Sequence, residues 1–293
     1  MNQRFAYQCG LVLFKILNRC PPPFLNLLAK IGGGIIDQLH GHIARAALKL
    51  ALHKADDSSI NIIAKKAAYN SAKYILAPSQ LDKIPYKLHD SDIVIEALKL
   101  ERGAIIVSLH VGPPDLGTYA LTKEDISVST VIGAGNQKPW INWLAKDIMH
   151  KAGIPFIQRG NPIDALKTLR NNKALILHID MRSREAPVTF FGEQTTAPVS
   201  AINLSLMTGA PLLFHYCTLK EQVWNLHFES FHPTHYPDKK ETVNTNLQAL
   251  IHRIEDVIKK APELWIWHYD RFKLRKKITR KSSFFDAFKL TKR

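Results

Sequence analysis

The stretch Gly103-Ala-Ile-Ile-Val-Ser-Leu-His110-Val-Gly112-Pro-Pro-Asp115-Leu-Gly-Thr118 decides the fold class. Ala104 to Leu109 is a short, largely apolar run behind the turn signal Glu101-Arg102-Gly103, the pattern of an interior strand of a parallel sheet. His110 follows at the strand's carboxyl end, where α/β sheets place their ligands. Val111-Gly112-Pro113-Pro114 stops the strand and starts a helix, since proline suits a first helical turn and Asp115 suits the positive end of the helix dipole. Such a strand-loop-helix can aim Asp115 at the imidazole. A carboxylate on one ring nitrogen fixes the tautomer and stabilises the imidazolium, leaving the other nitrogen free to take a proton from a hydroxyl. His110 and Asp115 are therefore the expected catalytic pair. The spacing alone also suits a strand-end histidine with a local aspartate cap, so the rest of the chain has to decide.

With 293 residues and 46% hydrophobic side chains, the chain can bury a substantial core as one large α/β domain or as a domain with a helical extension. Its net charge of +15 implies an anionic partner: nucleic acid, an anionic membrane or an acidic protein. Cys9, Cys20 and Cys217 are odd in number and lack metal-ligand spacing, which reads as reduced thiols in a cytosolic setting with no zinc site.

Near the N-terminus, Phe5 to Phe14 is free of charge, but Lys15 and Arg19 follow and Pro21-Pro22-Pro23 ends any helix there. This is too short for a bilayer span, which needs about 20 apolar residues, and no small-residue cleavage site follows it. The apolar blocks Gly10 to Leu17 and Phe24 to Leu28, flanked by Lys15, Arg19 and Lys30, read as an anchor seated on a membrane surface. A helix packed on the core is the alternative.

After Gly32-Gly33-Gly34 the sequence reads as two helices, Ile35 to Lys54 and Ile60 to Leu76, joined by Asp56-Asp57-Ser58-Ser59. From Ala104 onward strands alternate with helices. The strands are Ile126–Ile132, Ile154–Gln158, Ala174–Ile179, Leu212–Leu219 and Val223–Phe228, and the helices are Pro139–Ala152, Pro162–Leu169, Val199–Met207 and Val243–Lys260. The expected fold is α/β, a mixed and largely parallel sheet flanked by helices, with an N-terminal helical, membrane-associated extension. Several polar groups fall at the strand ends. Arg159 follows one strand, Asp180 ends another beside Arg182 and Arg184, and Phe190 to Ala197 comes next.

In order, these blocks resemble the bacterial late acyltransferases of lipid A biosynthesis, the lauroyl and myristoyl transferases of the wider lysophospholipid acyltransferase superfamily. The resemblance rests on the histidine block from Gly103 to Gly117, in which the family carries His, four residues, then Glu or Asp. It continues through R-G-N-P-I-D-A-L-K-T-L-R from Arg159, H-I-D-M from His178, F-F-G-E-Q-T-T-A from Phe190, L-S-L-M-T-G-A-P-L-L from Leu204 and P-E-L-W-I-W-H-Y-D-R-F-K from Pro262. Pro113-Pro114 stands where the family usually has Asn-Trp, and Asp180-Met181 where it has Asp-Gln. The Asn-Leu and Phe-Pro signature of the N-terminal helices is missing from Ala46 to His53. These departures leave the acceptor lipid open.

The resemblance implies a membrane-associating segment over 1–34, an α/β acyltransferase domain over 35–270 and a basic tail over 271–293. It implies an O-acyltransferase that needs no cofactor or metal and works at the cytoplasmic face of the bacterial inner membrane. The donor would be an acyl carrier protein thioester, and the acceptor a hydroxyl of an anionic membrane lipid. His110 would be the general base and Asp115 its orienting acid. Backbone N–H groups around Gly112 or the Arg159 guanidinium would stabilise the oxyanion, Arg159 could instead grip an acceptor phosphate, and Asp180 would orient Arg159 or substrate. Zinc-finger spacing and aromatic RNA-binding signatures are missing, which argues against nucleic acid, and no G-x-S-x-G is present. A metal hydrolase built on His110, Asp115, His178 and Asp180 has only His178-x-Asp180 as ligand spacing. The main rival is a catalytically weakened relative that binds acyl lipid or carrier protein without transfer.

Overall fold

The computed structural model describes residues 2–133 and 138–274. Three helices lead the chain: α1 (Gln3–Arg19), capped by the Asn2 side chain, α2 (Pro22–Ala51), with Pro22 in its first turn, and α3 (Asp57–Leu76), capped by Asp56. There follow β1 (Tyr86–His89), α4 (Asp92–Leu98), β2 (Ala104–Ser108), α5 (Leu116–Lys123), β3 (Val128–Ile132), α6 (Pro139–Lys151), β4 (Phe156–Gln158), α7 (Pro162–Arg170) and β5 (Ala174–His178). The chain continues with β6 (Ala186–Phe190), β7 (Glu193–Ala197), α8 (Ser200–Thr208), β8 (Leu212–Lys220), β9 (Val223–Phe231) and α9 (Lys239–Lys260).

Seven strands form one sheet in the order β1-β9-β8-β2-β5-β3-β4. Every pairing is parallel except β8 with β9, which a two-residue turn joins as a hairpin. The fold is thus the expected α/β arrangement, with a mixed and largely parallel sheet flanked by helices. β2 and β5 lie at its centre and are fully buried apart from His178. Burial on both faces explains their unbroken runs of Ala, Ile, Leu and Val.

Gly32-Gly33-Gly34 does not interrupt the helix, because α2 runs straight through it. A Cβ on Gly33 would lie 2.7 Å from the Tyr69 Cα, so the glycine lets the α3 backbone approach α2. The triplet is a packing notch, and its cost in helix propensity is offset by that contact. One side of α1 packs on α6, with the Tyr7 hydroxyl on the Asp147 carboxylate and the Tyr7 and Trp143 rings edge to face at 6.0 Å. The other side is bare. Phe5, Val12, Leu13 and Ile16 of α1, and Leu27, Ile31, Ile35 and Leu39 at four-residue spacing on α2, are each more than half exposed. Among the described residues no helix is long and apolar enough to cross a membrane.

Three elements escape a sequence reading: β1, α4 and the β6–β7 hairpin. In the hairpin, Pro187 and the polar run Glu193–Thr196 hide the strand pattern. Its turn, Phe191-Gly192, has positive φ at both residues (51° and 76°), the backbone of a type I′ turn. The Phe191 amide donates to the Glu255 carboxylate over 2.7 Å, and its ring packs on Trp267, which holds a phenylalanine in that strained region. The C-terminal boundary also shifts. Arg271, Phe272 and Leu274 are buried and belong to the core, whereas the basic residues Arg275, Lys276, Lys277, Arg280, Lys281, Lys289, Lys292 and Arg293 lie outside the described residues.

Candidate active site

The register of β2 and β5 builds the site. Ala104 pairs with Ala174 and Ser108 with His178, and the Ile179 amide extends the ladder by donating to the Ser108 carbonyl over 3.1 Å. His110 and Asp180, each two residues beyond the last pair, therefore emerge side by side. The Asp180 carboxylate accepts from the His110 ring at Nδ1 (2.7 Å), from the His110 backbone N–H (2.8 Å) and from the Trp265 indole N–H (2.8 Å). Trp265 reaches it from the C-terminal segment, where it forms a bridge with Val111. A carboxylate can only accept, so Nδ1 carries the hydrogen and Nε2 presents its lone pair. Asp180 is fully buried, while the His110 side chain keeps 24% of its surface exposed. One side of the ring is anchored and the other can be reached.

Electrostatics strengthen the pair. Burial pushes the Asp180 carboxyl up, but the His110 charge and the hydrogen bonds from His110 and Trp265 outweigh it and hold Asp180 well below the usual carboxylate range. Burial likewise pulls His110 down, and the Asp180 charge and hydrogen bond, aided by the Asp115 charge, reverse that, so His110 stands above its ordinary value.

Asp115 lies close enough for its charge to act on His110, but the hydrogen-bonded partner of the imidazole is Asp180. Asp115 directly precedes α5 without capping it by its side chain. Burial pushes its carboxyl up to about 6, and the opposing pull of His110 is too small to prevent this. The orienting role expected of Asp115 is geometrically that of Asp180, because the β2–β5 register delivers Asp180 directly to Nδ1. Asp115 is a second acid beside the pair, carrying its proton below about pH 6.

Gly112 adopts φ +82°, and a Cβ there would meet the Trp224 ring at 2.9 Å, so the loop needs glycine. Its amide faces the Tyr74 hydroxyl, which itself donates to the Leu264 carbonyl over 3.0 Å. That amide is thus engaged by α3. Arg159 follows β4, with its amide donating to Ile132 over 2.8 Å, and its side chain is exposed. β4 is three strands from β2, about 14 Å at the usual strand spacing. Arg159 therefore shares the sheet edge with the pair but stands apart from it, and the Asp180 carboxylate is hydrogen-bonded to His110. Among the described residues no group of three or more His, Cys, Asp or Glu is arranged to hold a metal ion.

Sequence reasoning missed Trp265 and the Asp180–His110 bond, and named His178 only as a possible metal ligand. One signal was available: Ala104-Ile-Ile-Val-Ser-Leu-His110 and Ala174-Leu-Ile-Leu-His-Ile-Asp180 have the same length. If two such runs pair in parallel from their alanines, the histidine and the aspartate finish level.

A largely parallel α/β sheet carrying a carboxylate–histidine pair beyond its central strands belongs to the α/β class that places ligands at the sheet's carboxyl edge, and such a pair can accept a proton from a hydroxyl placed there. The family model described as bacterial lipid A biosynthesis acyltransferase matches residues 1–274, and the chain belongs to that family. It is an acyltransferase family, and O-acyl transfer is the activity it indicates. No curated protein shows significant sequence similarity to the chain.

Proposed function

We propose that the protein transfers a fatty acyl chain from an acyl carrier protein thioester to a hydroxyl of an anionic membrane lipid, with His110 as general base. The observation that carries this reading is the Asp180–His110 bond, which in the neutral ring puts the hydrogen on Nδ1 and the Nε2 lone pair on the accessible side. Nε2 takes the acceptor hydroxyl proton as the oxygen attacks the thioester carbonyl carbon. The tetrahedral intermediate then collapses, the carbon–sulfur bond breaks, and the imidazolium returns the proton to the departing thiolate. The products are a lipid ester and a free carrier thiol. Asp180 balances the imidazolium, and Asp115 adds negative charge beside it once ionised.

Two surfaces support the substrate classes. A cavity of about 280 Å³ lies beside the catalytic loop, lined by Leu25, Tyr74, Ile84, Pro113, Leu219 and Trp224. Its apolar walls and its contact with Pro113 suit an acyl chain whose thioester reaches His110. The bare apolar faces of α1 and α2 suit a lipid surface, held further by the net charge of +15. The protein would then sit peripherally on the cytoplasmic face of the bacterial inner membrane, where carrier thioesters are present.

The test is incubation of the purified full-length protein with acyl carrier protein thioester and a panel of lipid acceptors, including lipid A precursors and lysophospholipids, followed by mass spectrometry of the lipids. An acylated lipid formed by the wild type and not by His110→Ala is expected. Failure of every acceptor, with the thioester left intact, would overturn the proposal.

A further inference from the structure

His178, the last residue of β5, pairs in register with Ser108 and lays its ring against His110, with centroids 4.6 Å apart and planes inclined by 39°. Its Nε2 is buried and, among the described residues, has no hydrogen-bond partner. The Pro114 carbonyl faces the ring. His178 therefore touches both halves of the site: the imidazole at the end of β2 and the loop that continues to Asp115.

We propose that His178 is a positioning residue for the general base, a ring packed against His110 that keeps water from one face of the His110–Asp180 pair. A protonated ring would compete with His110 for Asp180. Burial, seconded by the charge of His110, holds His178 down at about 3, so it stays neutral throughout turnover. Asp180 and His215 of β8 are the other ionisable groups facing it, and Asp115 completes the set around His110. His215 is held down at about 4 by burial, so it adds no charge at neutral pH.

The inference rests on the proposed transfer reaction only for its kinetic readout. Histidine-labelled NMR of the full-length protein gives the titration of His110 directly, in wild type and in His178→Ala, His178→Phe and His178→Asn. Burial depresses the proton affinity of His110, so admitting water in the alanine variant should raise its midpoint by about half a pH unit or more. The acid limb of kcat should move up by the same amount, and kcat at neutral pH should fall about tenfold with donor KM within about twofold. Phenylalanine restores the wall without the N–H. It should hold the midpoint within about 0.2 unit of wild type and recover much of kcat, whereas asparagine, with an N–H and no ring, should behave like alanine. A His110 midpoint unmoved in folded alanine and asparagine variants, or a folded phenylalanine variant as impaired as alanine, would overturn the proposal. Should the alanine variant not fold, phenylalanine against asparagine decides the same point. Absence of turnover in wild type would count against the transfer reaction, and the NMR comparison would still decide the role of His178.

Discussion

His110 and Asp180 stand level on neighbouring parallel strands, each six residues past the paired Ala104 and Ala174, and the imidazole Nδ1 donates to the carboxylate over 2.7 Å. This one bond sets the tautomer on which the proposed proton transfer depends. Asp180→Asn keeps the shape but offers an N–H as readily as an acceptor, so the tautomer is lost, and kcat should fall about 10³- to 10⁴-fold. His110→Ala should cost about 10²- to 10⁴-fold. Rates of lipid acylation by the two purified variants, with circular dichroism to confirm folding, check both values. Near-normal turnover by either one removes the pair from the mechanism.

Apart from the β6–β7 hairpin, the order of strands and helices from β2 to α9 was legible because hydrophobic period and Gly/Pro punctuation act locally. The partner of His110 was not, because it depends on which strands are neighbours. Asp115 is five residues from His110 in sequence, while Asp180 is seventy away and arrives through the β2–β5 pairing. Trp265 was hidden for the same reason: nothing local to it indicates that its indole reaches Asp180. Gly32-Gly33-Gly34 looked like a break because glycine is a poor helix former, and only the tertiary contact with Tyr69 reveals the opposite role. Arg271 looked like part of a solvated basic run, yet it donates to Thr195 Oγ1 and the Thr196 carbonyl and stacks on Phe190 with 1% exposure.

The raised carboxyl of Asp115 makes stability depend on pH. Its folded value of about 6 lies above the ordinary 3.8, so the native state holds this proton more tightly than the unfolded chain. That contribution is complete below about pH 4 and is lost as pH rises through about 6. It amounts to on the order of 2 kcal/mol, at 1.36 kcal/mol per pH unit and with a discount for partial exposure. Asp115→Asn should remove this dependence, so the difference in unfolding free energy between variant and wild type should grow in the variant's favour between pH 4.5 and 7.5. Denaturant titrations at the two pH values measure it, and a pH-independent difference would show that Asp115 is not so perturbed. Asp115→Asn should also lower acyl transfer, and Asp115→Glu should retain part of it.

Trp265→Phe deletes one hydrogen bond to Asp180 while leaving most of the ring packing against Phe190 and Trp267. A buried charged acceptor loses about 1.5–3 kcal/mol with such a donor. The expected outcome is a lower melting temperature and a more basic Asp180 carboxylate that holds the His110 imidazolium more tightly, so that the acid limb set by His110 moves to a higher pH than in wild type. An unchanged acid limb would mean that Trp265 only packs.

The apolar stripe on α2 makes a separate forecast. Ile31 and Ile35 are each more than half exposed, so Ile31→Asp with Ile35→Asp should leave the melting temperature nearly unchanged. Fully burying an isoleucine contributes about 1.5–3 kcal/mol, so losing two from a lipid surface should weaken sedimentation with anionic vesicles at least about tenfold. High salt should partly release the wild type by screening its charges, while the apolar contacts persist. Wild-type protein that fails to sediment with such vesicles, or a double variant that sediments as well as wild type, refutes the membrane-seated face.

The donor is where the charge argument is most exposed. Acyl carrier proteins are small and acidic, so a chain of net charge +15 should capture them by electrostatic steering, with association falling steeply as ionic strength rises. Coenzyme A thioesters present a smaller anionic surface and should be the poorer donors at low salt. At about 0.5 M salt the Debye length shrinks to several Å, and the preference should erode. Arg271 is buried and cannot join in such docking, and of the remaining basic residues up to Lys281 (Lys273, Arg275, Lys276, Lys277, Arg280 and Lys281) the cluster Arg275, Lys276 and Lys277 is the one to reverse. Glutamate at these three positions should lower kcat/KM for the carrier thioester, and leave that for the coenzyme A thioester nearly unchanged, if the segment receives the carrier. A matching loss of vesicle binding with carrier use intact would assign those charges to phospholipid instead, and equal use of both donors by wild type at low salt would remove the carrier from the proposal.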